Sequence, residues 1–290
     1  MHHTSVLAEW RLLEARQKLN QDAHEEVQRK ALCWILTQAV AKVTHYRSGV
    51  RVIDGVPRHW LQKMPVLEHA TLQEERENMR LLPAIHAWGL LGLDAVAWSK
   101  YTAGLLYWLM RTGYSFGMRV VTPTMQTRNV IRALMDLIPT NLGRAVHEPS
   151  LQHKRPIVLV GPLEWLLAQA RVPSSNVRGV LCLDGPLHAE DRAVFEQAWH
   201  APITSVVCFS EGFTSIAKRD QETPELLLSH VAAEILDEHL VLTDLVNYAT
   251  PRIRYDTGLH AVGDATDREF TQIFEIIRSA SRGRINRRAG

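Results

Sequence analysis

LVLTDLVNYATPRIRYDTGL, residues 240–259, is the stretch that decides how this chain is read. It opens on alternating apolar residues that run into Thr243 and Asp244. Asn247, Ala249 and Pro251 then break the pattern, and 252–255 (Arg-Ile-Arg-Tyr) is a second short extended run that closes on Asp256-Thr257-Gly258. This order predicts two strands, a short connection between them, and a closing turn.

Outward from that stretch, the chain alternates. Residues 5–44 carry Leu12, Leu13, Leu19, Val27, Leu32, Ile35, Leu36, Ala39 and Val43 at three- and four-residue steps, the period of one helical region that ends at His45-Tyr46-Arg47. Thr71 with Glu74 three residues later reads as a capping box. Helices are expected over 98–112, 126–138, 163–170 and 190–199, and strands over 118–122, 157–160, 179–183 and 203–209. Such alternation calls for an α/β fold with a largely parallel sheet flanked by helices. Residues 231–236 and 240–243 read as antiparallel strands, and 266–282 as a last amphipathic helix before the basic tail RGRINRRAG. The expected organisation is a helical region at 1–80, an α/β core at 81–265, and a helix and tail at 266–290.

Composition narrows the function classes. A formal net charge of +2 over 290 residues selects no nucleic acid as a partner. Cys33, Cys182 and Cys208 form no C-x-x-C pair, and an odd number argues against a secreted disulfide framework. The charged N-terminus does not read as a signal peptide, and the most apolar run, 101–110, is too short for a bilayer, so a cytoplasmic protein without a membrane partner is expected. Residues 113–117 (Gly-Tyr-Ser-Phe-Gly) fit G-x-S-x-G, but a helix is expected before them and a strand after, the reverse of a nucleophile elbow. His86, His147, His153, His188 and His200 have no H-E-x-x-H or comparable spacing, so no metal is expected.

The pattern VLTDL-N-A-P-IRYDTG resembles the late signature of adenylate-forming enzymes, in particular the phenylacetate–CoA ligase and capsule-biosynthesis branch. The helix followed by Tyr-Arg and then Met-Pro-Val-Leu resembles the N-terminal part of that branch. In the family the signature ends Gly-Asp, and that Asp grips the ATP ribose; in this chain Leu259 follows Gly258. The family's phosphate loop, T-S-G-T-T-G-K-P, corresponds to 86–94, where Gly89 and Gly92 stay in register but Trp88, Leu90 and Leu91 replace hydroxyls and Leu93 replaces Lys. A triphosphate there would forgo charge-assisted hydrogen bonds worth about 1.5–3 kcal/mol each. The family's Tyr-Gly-x-Ser/Thr-Glu corresponds to 207–211: Ser210 and Glu211 match, while Val207 and Cys208 replace the adenine-stacking Tyr and the Gly. The family's swinging C-terminal domain, which brings a catalytic Lys, has no counterpart before Gly290.

The resemblance therefore implies an adenylation-domain-like core without the lid domain, with a phosphate loop and ribose site that have lost their contact residues. It implies a pseudoenzyme-like protein in a biosynthetic pathway, binding a small acyl or aromatic carboxylate derivative or assisting a partner ligase or carrier protein. The alternative is an enzyme that makes an amide, ester or thioester from an activated acyl donor. Trp88, Trp98, Phe209, Phe213 and Tyr255 are the expected substrate-pocket residues, and Glu211, Ser210 and Asp256 the candidates for chemistry. No resident cofactor is expected: ATP with magnesium would need a remodelled loop, and a CoA or carrier-protein thioester is the acyl donor to consider.

Overall fold

The computed structural model describes residues 3–47, 61–75, 78–79, 81, 95–115, 118–123, 145–146, 155–183, 187–207, 216–219, 225–227, 229–263 and 274–277. The helical region divides in two. α1 (His3–Arg16) and α2 (Gln21–Lys42) are separated at Asn20, whose side-chain oxygen accepts from the Ala23 N–H at 3.0 Å and caps α2. The apolar period runs across this break, which is why it reads as one helix. A 3-10 turn at Thr44–Tyr46 ends the region. The capping box at Thr71 does not form: α3 (His69–Glu74) starts earlier, with Glu68 at its N-cap, so Thr71 lies inside the helix.

α4 (Ala95–Arg111) precedes β1 (Arg119–Val121), β2 (Ala145–Val146) and β3 (Ile157–Gly161). Then come α5 (Leu163–Gln169), β4 (Val177–Cys182), α6 (Ala189–Trp199) and β5 (Ile203–Val207), as the alternation predicted. The five strands pair in parallel in the order β2-β1-β3-β4-β5, and β6 (Ile216–Arg219) and β7 (Glu225–Leu226) extend the β5 edge in antiparallel. The helix expected at 126–138 lies outside the described residues.

Strand alternation divides the core between the two faces of this sheet. Ile157, Leu159, Val180 and Cys182 turn to one side and pack with Leu166, Phe195 and Trp199 of α5 and α6. Val158, Val160, Leu181 and Leu183 turn to the other and pack with Leu13 of α1 and Tyr101, Leu105 and Trp108 of α4. Strands covered on both faces have no polar side to show, hence their unbroken apolar runs.

A second sheet is antiparallel, in the order β11-β10-β9-β8, made of β8 (Val231–Leu236), β9 (His239–Asp244), β10 (Tyr255–Gly263) and β11 (Phe274–Ile277). Leu240, Leu242 and Tyr255 of this sheet pack with Leu32, Ile35, Leu36 and Ala39 of α2. Asp237 and Glu238, both at positive φ, form the two-residue turn between β8 and β9. Two expectations are corrected by the second sheet. Its β10 strand starts at Tyr255, and Asp256-Thr257-Gly258 is not a closing turn but a bulge inside β10, where the register shifts between Asp256 and His260. Residues 274–277, expected within a helix, pair as a strand with β10; amphipathic spacing over a short apolar run did not separate the two states.

Gly113 explains the G-x-S-x-G match. It follows α4 at φ 88°, its N–H donates to Met110 O, and the Tyr114 N–H donates to Leu109 O, the paired bonds of a Schellman helix end. Ser115 thus follows a helix terminus, in the order the sequence indicated. Gly179 in β4 has a different reason: a Cβ there would stand 2.1 Å from the backbone oxygen of Thr112, at the end of α4. Gly179→Ala must push α4 off the sheet, and a loss of about 1–3 kcal/mol is expected in urea unfolding; an unchanged midpoint would mean that α4 does not rest on β4 in this way.

Candidate functional site

The signature stretch folds as a buried connection between β9 and β10. Residues 245–247 and 249–254 are buried, and none of them belongs to a helix or strand. Backbone groups taken from water need partners, and side chains and neighbouring segments provide them. Asp244 Oδ1 accepts from the N–H groups of Val246 and Asn247 at 2.9 and 3.2 Å. Asn247 Oδ1 repeats the device for Ala249 and Thr250 at 3.1 and 3.3 Å. The Tyr46 hydroxyl accepts from the Ile253 N–H and donates to Pro251 O. Thr243 Oγ1 accepts from the Arg254 N–H. The backbone of His230, Leu81 and Leu67 holds Leu245, Ala249 and Arg254.

Asp244 is the centre of this arrangement. It is fully buried; its Oδ2 accepts from the Tyr101 hydroxyl of α4 and lies 3.4 Å from Arg252 Nη1. Burial pushes its carboxyl up, while the Arg252 charge and the hydrogen bonds from Tyr101, Val246 and Asn247 pull it back, with the net shift upward. The Tyr101 ring stands edge-to-face with the ring of His230, which is also buried. Burial, with the charges of Lys100 and Arg16, holds the His230 imidazole down to about 3, so it is neutral. Arg254 ties the other end of the connection. In left-handed backbone geometry, it donates to Glu234 Oε2 at 3.3 Å, to Met64 O at 2.7 Å and to Gln62 O at 3.2 Å.

Of the residues named from sequence, three have described side chains. Tyr255 is 3% exposed, and its hydroxyl pairs with His69 Nδ1 at 3.0 Å; beside it Leu67 bridges to β10, so the Met-Pro-Val-Leu segment and the signature are in contact. Asp256 is half-buried, accepts from the Gly258 N–H at 2.8 Å and pairs with His239 at 3.1 Å. Leu259 is partly buried and packs against the apolar cluster under α2. Trp98 lies on α4, and only its backbone is described. Trp88, Gly89, Leu90, Leu91, Gly92, Leu93, Phe209, Ser210, Glu211 and Phe213 lie outside the described residues. The Asp244–Tyr101–Arg252 node and neutral His230 were not singled out from sequence. A carboxylate ending the apolar run LVLT was the available signal for the first.

The strand order also marks a topological switch point. β1 runs on to β2 on one side while its other neighbour, β3, runs on to β4, so the connections leave β1 and β3 in opposite directions, and ligands of open α/β sheets bind beyond the carboxyl ends of strands at such a point. In this chain that is the edge after Thr122 and Gly161. No group of three or more His, Cys, Asp or Glu among the described residues is placed to hold a metal ion. No helix among them is long and apolar enough to cross a membrane.

Two measurements follow from the buried node. Asp244→Ala removes the acceptor of the Val246 and Asn247 amides and the carboxylate beside Arg252, and should cost about 3–5 kcal/mol, against about 1–3 for Tyr101→Phe; equal, small losses in urea unfolding would remove Asp244 from its central place. His230 binds its proton near 6.5 in the unfolded chain but only near 3 when folded. Its contribution is therefore complete above pH 6.5 and shrinks as the pH falls toward 3, by about 1.4 kcal/mol per unit. Asp244, shifted upward, works in the opposite sense. Subtracting the stability profile of His230→Gln from that of the parent isolates the imidazole, and parallel profiles would contradict its burial in neutral form.

No family model matches the sequence, and no curated protein does. Solved structures do match in fold. 2-Hydroxyisobutyryl-CoA ligase in an open conformation with 2-HIB-AMP and CoA superposes with a TM-score of 0.70 at 13% identity, over 88% of this chain and 68% of that one. The same ligase in the postadenylation state with R3-HIB-AMP gives 0.68 at 13%, over 87% and 66%. In the thioesterification state it gives 0.65 at 12%, over 88% and 67%. The chain thus spans about two thirds of the length of these ligases. Its α/β architecture, with a parallel sheet between helix layers and a smaller antiparallel sheet, is the fold found over about two thirds of this CoA ligase.

Proposed function

We propose that this chain is a non-adenylating relative of the phenylacetate–CoA ligase branch that binds an acyl or aromatic carboxylate derivative, free or as a thioester, in a biosynthetic pathway. The observation that carries this reading is the placement of Leu259. At the position where the resemblance calls for the ribose-binding carboxylate stands an apolar side chain packed against the core cluster of α2 and the second sheet. A carboxylate could take that place only by losing its water, an unfavourable exchange. Leu90, Leu91 and Leu93, in place of loop hydroxyls and Lys, work in the same direction. The ligase fold supports an acyl pocket, lined in this reading by Trp88, Trp98, Phe209, Phe213 and Tyr255.

The test is a thermal-shift panel of aromatic and aliphatic acids, their CoA thioesters and carrier-protein conjugates. At least one acyl compound should raise the melting temperature; a panel without any shift would remove the pocket from the proposal. The competing reading, an acyl-transferring enzyme, places a base at Glu211, and loss of such a base costs about 10²–10⁴-fold in rate. Product formation in the host pathway should persist in folded Glu211→Gln and Asp256→Asn variants if the chain binds or assists. Abolition by Glu211→Gln would establish the enzyme instead.

A further inference from the structure

The antiparallel strands β8, β9 and β10 carry a pair of histidines that the acyl-binding reading does not use. His239 and His260 stand directly opposite each other on β9 and β10, next to the bulge at Asp256. Directly opposed residues of antiparallel strands project on one face with Cβ atoms about 4.5–5.5 Å apart. The partners of the two rings fix their tautomers. His260 Nδ1 lies 2.9 Å from the backbone oxygen of Glu238, and a carbonyl only accepts, so Nδ1 carries the proton. His239 Nδ1 lies 3.1 Å from Asp256 Oδ2, and the other oxygen of Asp256 accepts from the Gly258 N–H. Asp256 acts as an acceptor at both oxygens, so His239 Nδ1 also carries its proton. In the neutral form of each ring Nε2 then keeps its lone pair to accept.

We propose that His239 and His260 form a two-histidine clip for a divalent transition ion such as zinc, bound through the two Nε2 atoms. A ring held at Nδ1 by a carboxylate or a backbone carbonyl, with Nε2 turned to the ion, is the arrangement that orients metal-bound histidines and raises their basicity. Both rings reach solvent, His239 at 54% and His260 at 32% side-chain exposure, so an ion can enter and water can complete its coordination. Glu238 Oε2 is 3.7 Å from His260 Nε2, and at 78% exposure its side chain is able to turn toward the ion. The clip would brace the bulge that carries Asp256-Thr257-Gly258, and it does not depend on any nucleotide or acyl group.

Zinc alone is the probe, titrated calorimetrically into the whole chain, with melting temperature as a second readout. The parent should show a saturable site and a zinc-dependent rise in melting temperature. Both should be lost in His239→Ala and in His260→Ala, each a side chain that reaches solvent, with the metal-free melting temperature serving as the control for folding. Asp256→Asn should weaken the site about 10–100-fold, as loss of an outer partner does. Unchanged zinc binding in both histidine variants would assign the ion to other histidines and overturn the clip. A parent that binds no zinc up to millimolar concentration would overturn it as well.

Discussion

The connection between β9 and β10, with no helix or strand of its own, is buried, with Val246 in one core and Leu245 and Ile253 in another, and its backbone must find partners there. That requirement explains the polar residues of the signature stretch. Asp244 and Asn247 each take two successive amides, Tyr46 takes Pro251 and Ile253, and Thr243 takes Arg254. The arrangement reaches well beyond the stretch itself. Asp244 is also held by Tyr101 from α4, and Tyr46 comes from the turn after α2. The connection is where the parallel sheet with its helices and the antiparallel sheet with α2 are joined. A charge buried in this way is tolerated because Arg252 and the hydrogen-bond donors surround it.

The two halves joined there have different cores. The parallel sheet is covered on both faces, by α1 and α4 on one and by α5 and α6 on the other. The antiparallel sheet packs one face on α2 and the segment that includes Leu61, Met64 and Leu67. Glycine is required where these layers approach most closely, as at Gly179 under the end of α4. The N-terminal helices therefore complete both cores, and the Met-Pro-Val-Leu segment lies beside Tyr255 as a structural partner of the signature.

Much of this was legible in the sequence, and the parts that were not have physical reasons. The buried strands β3, β4 and β5 stand out as apolar runs between helices, so the α/β class followed directly. The break at Asn20 was hidden because the apolar period continues across it, and only the cap marks it. Residues 274–277 pair with β10, and pairing across the chain outweighs local spacing. Gly258 closes a bulge and not a turn, since both features use the same residue types. Tyr255, named for a substrate pocket, has its hydroxyl on His69 and its ring in the core. The contacts that make Asp244 central come from Tyr101 and Arg252, and the 143-residue separation of Tyr101 from Asp244 cannot be read from a linear pattern.

Frame and contact residues diverge in this chain. The frame superposes on CoA ligases over most of its length, whereas Leu259 and the apolar residues of 88–93 stand where the resemblance places groups that hold ATP. The most direct measurement is a calorimetric titration of the purified chain with ATP and magnesium. A non-adenylating chain requires that no binding be seen in the micromolar range. A clean micromolar isotherm would contradict it, and would mean that the nucleotide is held by groups other than those the ligase pattern supplies.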